Sequence, residues 1–178
     1  MDRNNLKFEA ISLNAFEVFV HNWFNWLINQ SADIFFLQET HSTVEVANQW
    51  RKQWPGEFFF SHACNHSCGV AILVRKSLDF KLISSRVDNG GRYLNLEAII
   101  QETPFLLINT YAPNKISNQS SFFLALPEHI PVEELRESNY KFLIGGDFHV
   151  ALQSSLDCSA GNTTLKESVK FLEDLLIQ

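Results

Sequence analysis

The sequence predicts an α/β fold rich in strands, joined by hairpins as well as by helical crossovers. Three observations predict it. Short apolar runs without a polar face, such as DIFFLQ (33–38) and FLLINT (105–110), lie between helical segments and read as strands covered on both sides. The tetrapeptide Asp88-Asn89-Gly90-Gly91 separates two strand-like runs and marks a tight hairpin, because these residues tolerate positive φ. Phe16, Phe19, Val20, Trp23, Phe24 and Leu27 recur at helical spacing, which places an amphipathic helix between the first two strands. A purely parallel doubly wound sheet fits poorly, because the central hairpin is antiparallel.

The elements follow in order. Lys7 to Leu13 alternates as a strand does and meets Asn14. The helix Phe16 to Asn29 leads to the strand Asp33 to Gln38, which ends at Glu39. Ser42-Thr43-Val44-Glu45 has capping-box spacing, so a helix is expected from there to about Trp54, stopped by Pro55-Gly56. Glu57 to Ser61 and Gly69 to Val74 read as strands, and Phe80 to Val87 and Arg92 to Gln101 as the hairpin arms. Phe105 to Thr110 is a strand ending at Tyr111-Ala112-Pro113-Asn114. A weaker helical region follows, interrupted by Pro127 and Pro131. The strand Lys141 to Ile144 then runs into Gly145-Gly146-Asp147-Phe148-His149. Thr164 to Glu167 repeats the capping-box spacing and opens a last helix.

The 178 residues suffice for one domain, and 16 Phe call for several bulky layers. No apolar run is long enough to span a membrane, and the N-terminus lacks the apolar core of a signal peptide, so an intracellular location is expected. Three cysteines are too few and too odd in number for a disulfide framework. A formal net charge of −6 argues against a broad basic surface for nucleic acid. Such a role would rest on a local patch or on bound cations.

Four strands thus run outward to polar groups: Asn14, Glu39, Tyr111 with Asn114, and Asp147 with His149. Strand ends gathered at one sheet edge are a common place for a site. Carboxylate and amide oxygens suit a hard cation such as Mg²⁺, and tyrosine or asparagine can hydrogen-bond a phosphate. A competing reading comes from His62, Cys64, His66 and Cys68, which alternate and are zinc-ligand types. Their strand spacing keeps four in a row from surrounding one ion, so no zinc site is assigned.

The segments ISLN (11–14), IFFLQETH (34–41), GVAILV (69–74), INTYAPN (108–114) and LIGGDF (143–148) resemble the endonuclease/exonuclease/phosphatase superfamily. The nearest likeness is to the endonuclease domain of LINE-type non-LTR retrotransposons, and LDCSAGNTT (156–164) extends it. The resemblance implies a four-layer α/β sandwich, two facing mixed sheets with helices outside, and one domain over 1–178. It implies Mg²⁺ or Mn²⁺ held by Glu39 directly and by Asn14. Tyr111 and Asn114 would contact the scissile phosphate, and Asp147 would orient or activate the attacking water. The implied reaction is DNA phosphodiester hydrolysis, in the nucleus, in a longer parent protein with a reverse transcriptase domain. No membrane partner is implied.

The departures are as specific. His149 replaces the asparagine of Gly-Asp-Phe-Asn and cannot reproduce the amide geometry. The Ser-Asp-His segment carrying the family's general base has no counterpart up to Gln178, so a C-terminally truncated domain is expected, with marginal stability. None of His21, His41, His62, His66, His129 or His149 lies where that base would be. The Asn14 region lacks the usual Gly-containing basic loop, and Cys158 stands where the family often has arginine. The expected function is an impaired DNA-nicking hydrolase. The alternatives are a catalytically inactive remnant and a superfamily phosphatase.

Overall fold

The computed structural model describes residues 6–13, 20–62, 68–129 and 139–150. The chain forms two compact units, one of Met1–Tyr111 with Ser138–Asp147, the other of Ala112–Glu137 with Phe148–Gln178.

The first unit holds β1 (Phe8–Ser12), α1 (Val20–Asn29), β2 (Ile34–Gln38), α2 (Val44–Arg51), β3 (Gly56–Ser61), β4 (Val70–Arg75), β5 (Phe80–Val87), β6 (Tyr93–Ile100), β7 (Thr103–Tyr111) and β8 (Lys141–Asp147). They make two mixed four-stranded sheets, ordered β1-β2-β4-β3 and β5-β6-β7-β8. The pairs β1–β2 and β7–β8 are parallel, and the other pairs are antiparallel. The two mixed sheets expected from the resemblance are therefore present.

Strand periodicity explains the layering. In β2 and β4, Ile34, Phe36, Val70, Ile72 and Val74 point into the space between the sheets, where they meet Leu94, Leu96, Ala98, Ile100, Phe105 and Leu107. The alternate residues Phe35, Leu37, Ala71 and Leu73 pack outward, in a cluster with Trp23, Phe24, Leu27, Trp50 and Trp54. Strands with two apolar faces lose their alternation, which is why IFFLQ reads as a continuous run. No helix among the described residues is long and apolar enough to cross a membrane.

Four local expectations need correction. Helix α2 is capped by Thr43, whose hydroxyl accepts from the Val46 N–H at 3.4 Å, and not by Ser42. Ser42 is buried and its hydroxyl is spent on Thr40 and His62, which shifts the cap by one residue. Helix α2 also ends at Arg51, short of Trp54. In the second unit, α3 (Ile116–His129) runs through Pro127. The proline forfeits one backbone hydrogen bond there, while the buried Phe123 and Leu126 anchor the turn. Finally, β8 continues through both glycines to Asp147. The helix expected after Thr164 lies outside the described residues.

Candidate metal and phosphate site

The carboxyl ends of β2, β7 and β8 meet at one edge of the first unit. Parallel register sets Tyr111 beside Asp147 and Asn109 beside Gly145. A Cβ on Gly145 would lie 2.9 Å from the Phe36 ring, so only glycine lets β8 close onto the opposite sheet. At Gly146, φ is +155° and a Cβ would stand 2.1 Å from the Thr110 carbonyl oxygen. The two glycines therefore deliver Asp147 as the last residue of a paired strand, not as a turn residue.

Glu39 follows β2 in the left-handed region, with φ 54°, a conformation costing a non-glycine residue roughly 1–2 kcal/mol. Flanking backbone bonds hold it there. Leu13 N–H donates to the Gln38 carbonyl at 3.0 Å, Thr40 N–H to Gly69 at 3.0 Å, and His41 N–H to Cys68 at 2.9 Å. The Glu39 carboxylate is 4% exposed and accepts from the Tyr111 hydroxyl. One of its oxygens lies within 4.8 Å of a carboxylate oxygen of Asp147.

Two carboxylates this close, one buried, repel unless positive charge or a proton stands between them. Glu39 accepts one hydrogen bond among the described residues, although an ionised carboxylate has about four acceptor positions. Two carboxylates of which Glu39 keeps spare acceptor capacity fit a hard divalent cation.

Sequence reasoning missed the residues beneath this pair. Asn109, fully buried, links the two sheets: its amide N–H groups donate to Leu37 O at 3.0 Å and Ala71 O at 2.7 Å. Its Oδ1 accepts from Gln38 Nε2 at 2.7 Å. The signal was available, because two amides interrupt otherwise apolar strand ends, and buried amides must find partners. Arg92 was missed as well. It donates to the Tyr111 carbonyl at 3.2 Å, and its guanidinium lies 5.5 Å from the centre of the Tyr111 ring.

Three further residues were expected at the site. Asn14 falls outside the described residues. Asn114 and His149 belong to the second unit, where Asn114 is exposed and His149 is half-buried with φ 48°. Of the alternating zinc-type residues, Cys64 and His66 lie outside the described residues, and Cys68 is a free thiol. His62 Nδ1 is engaged by Ser42, and burial holds this imidazole below its ordinary pKa.

The profile of the Endonuclease/Exonuclease/phosphatase family matches residues 14–149. The chain is 34% identical over 121 residues to the transposon TX1 uncharacterized 149 kDa protein of Xenopus laevis, a match covering 68% of this chain and 9% of that protein. Among solved structures, D. rerio TDP2 humanized by 14 mutations superposes with a TM-score of 0.62 at 14% identity, over 89% of this chain and 68% of that one. A Bacteroides thetaiotaomicron mannosyl-6-phosphatase gives a TM-score of 0.61 at 14% identity, over 86% and 60%. At such identities the structural likeness concerns the fold alone. With the family profile spanning most of its length, and with a transposon protein as relative, this chain belongs to the endonuclease/exonuclease/phosphatase family.

Proposed function

We propose that this domain hydrolyses DNA phosphodiester bonds with Mg²⁺ or Mn²⁺. The observation that carries the reading is the convergence of Glu39, Tyr111 and Asp147 at three strand ends, with the buried Glu39 carboxylate left largely unsaturated. The transposon relative favours DNA as the substrate, and a LINE-type parent with a reverse transcriptase domain belongs to the same reading.

In this reading Glu39 and Asn14 hold the cation. The chemistry such a cation supplies when bound is neutralisation of charge at the phosphoryl and leaving oxygens. Asp147 stands beside Tyr111 in the strand register, placed to orient a water toward phosphorus and to accept its proton. The Tyr111 hydroxyl donates its one proton to Glu39 and so steers the carboxylate; in this reading it turns to a phosphate oxygen when a cation takes over Glu39. Arg92 fixes Tyr111 from behind. By resemblance, Asn114 is a further polar contact for the phosphate.

Two other readings have their own support. A catalytically inactive remnant is favoured by His149, whose ring stands in place of a phosphate-positioning amide. A phosphatase remains an alternative because a mannosyl-6-phosphatase shares the fold. Nicking of supercoiled plasmid, run beside release of phosphate from a small monoester, separates all three. We expect Mg²⁺-dependent nicking that EDTA abolishes and that Glu39→Ala slows about 100-fold or more. Equal rates for wild type and Glu39→Ala, with both folded, identify a remnant. Monoester hydrolysis without nicking identifies a phosphatase.

A further inference from the structure

Gln119 has no role in the site as described, yet its environment is unusual for a helix glutamine. It is 2% exposed and shares the buried stripe of α3 with Phe123 and Leu126, at spacings of four and three residues. Its amide nitrogen donates to the Pro113 carbonyl at 3.0 Å and to the His149 carbonyl at 3.1 Å. Pro113 comes two residues after Tyr111 in the chain, and His149 two residues after Asp147. Both carbonyls lie beyond the ends of β7 and β8.

The orientation of the amide is fixed by chemistry. The reverse orientation would aim an acceptor at two acceptors. Gln119 Oε1 is buried and has no hydrogen-bond partner among the described residues, at a cost of about 1–3 kcal/mol. A residue chosen for stability alone would be a leucine at this stripe position. The backbone it holds needs holding, since His149 sits at φ 48°.

We propose that Gln119 is a positioning residue whose single amide ties the segment after Tyr111 to the segment after Asp147. It thereby sets the backbone that carries Asn114 and His149. The proposal rests on the hydrolase reading for its functional consequence, while the clamp itself is testable without turnover.

The test uses the full chain. Gln119→Met keeps length and apolar packing but has no donor. In hydrogen–deuterium exchange we expect faster exchange at 148–150 and 114–115 with β6 and β7 unchanged. In nicking assays we expect kcat to fall on the order of 10²-fold, with KM and melting temperature nearly unchanged. Gln119→Glu supplies a second readout, because a carboxyl group donates only when protonated. A protonated carboxyl has one O–H and restores one of the two bonds, so local protection, after allowance for the pH dependence of intrinsic exchange, should recover in part as pH falls from about 7 to about 5, whether or not the methionine variant folds. Unchanged local exchange in Gln119→Met, or a rise spread over every strand, overturns the clamp, as does a Gln119→Glu variant with no pH-dependent recovery. A wild type that does not nick overturns the hydrolase reading alone, since the exchange data still decide the clamp. An active wild type with an equally active methionine variant overturns the positioning role alone.

Discussion

Two charged side chains sit at opposite ends of the first sheet and are treated in opposite ways. At one end Arg75, the last residue of β4, donates to the carbonyls of Leu27 at 2.9 Å and Ile28 at 3.1 Å, and to those of Gln30 and Ala32. Its guanidinium also lies against the rings of Phe35 and Trp54. It closes the C-terminal end of α1, where helix carbonyls lack internal partners and a cation is favoured by the helix dipole. At the other end Glu39 is more deeply buried and receives one hydrogen bond, from Tyr111. The structural charge is used up by its own protein. The candidate functional charge keeps most of its acceptor capacity and sits in a strained backbone. The difference separates a residue that holds the fold from one whose partner comes from outside.

The comparison breaks first on stability. Arg75→Ala should destabilise by about 3 kcal/mol in urea titration, because it strands helix-end carbonyls and removes packing against two aromatic rings. Glu39→Gln keeps shape and the Tyr111 bond, so its stability should be unchanged or raised by up to about 1 kcal/mol. Equal losses for the two variants would show that Glu39 is structural as well. The smallest expected effect lies in the second unit. An asparagine adopts the left-handed backbone of position 149 more readily than histidine and presents both amide groups to a phosphate. His149→Asn should therefore raise the nicking rate about tenfold, roughly 1.4 kcal/mol, as read from initial rates at saturating Mg²⁺. No increase would show that the imidazole is not the defect.

Much of the fold was legible because its signals are local. Period-two strands, the Asp88 hairpin and the helix of Trp23 and Leu27 appear where the sequence places them. The hairpin holds because the Asp88 carboxylate accepts from Gly90, Arg92 and Tyr93 N–H groups. Errors arose where tertiary demand overrode local preference. Ser42 looked like a cap, but burial beside Thr40 and His62 claimed its hydroxyl and left capping to Thr43. Pro127 looked like a break, yet α3 passes through it.

At the site, Glu39, Tyr111 and Asp147 were readable one strand end at a time. Asn109 and Gln38 showed in the sequence only as amides interrupting apolar strand ends, and Arg92 not at all, because their partners lie across sheets and strands. The sequence ends the strand at Ile144, whereas β8 continues through the two glycines, which allow close approach to Phe36 and Thr110.

The most direct test of the contrast between Arg75 and Glu39 is Mn²⁺ binding followed by electron paramagnetic resonance, for wild type, Arg75→Ala and Glu39→Gln. The structure leads us to expect one Mn²⁺ per wild-type chain, unchanged affinity in folded Arg75→Ala, and affinity weakened about tenfold or more in Glu39→Gln. Equal Mn²⁺ affinity in wild type and Glu39→Gln would contradict the account, since the spare capacity of the Glu39 carboxylate would then serve no cation.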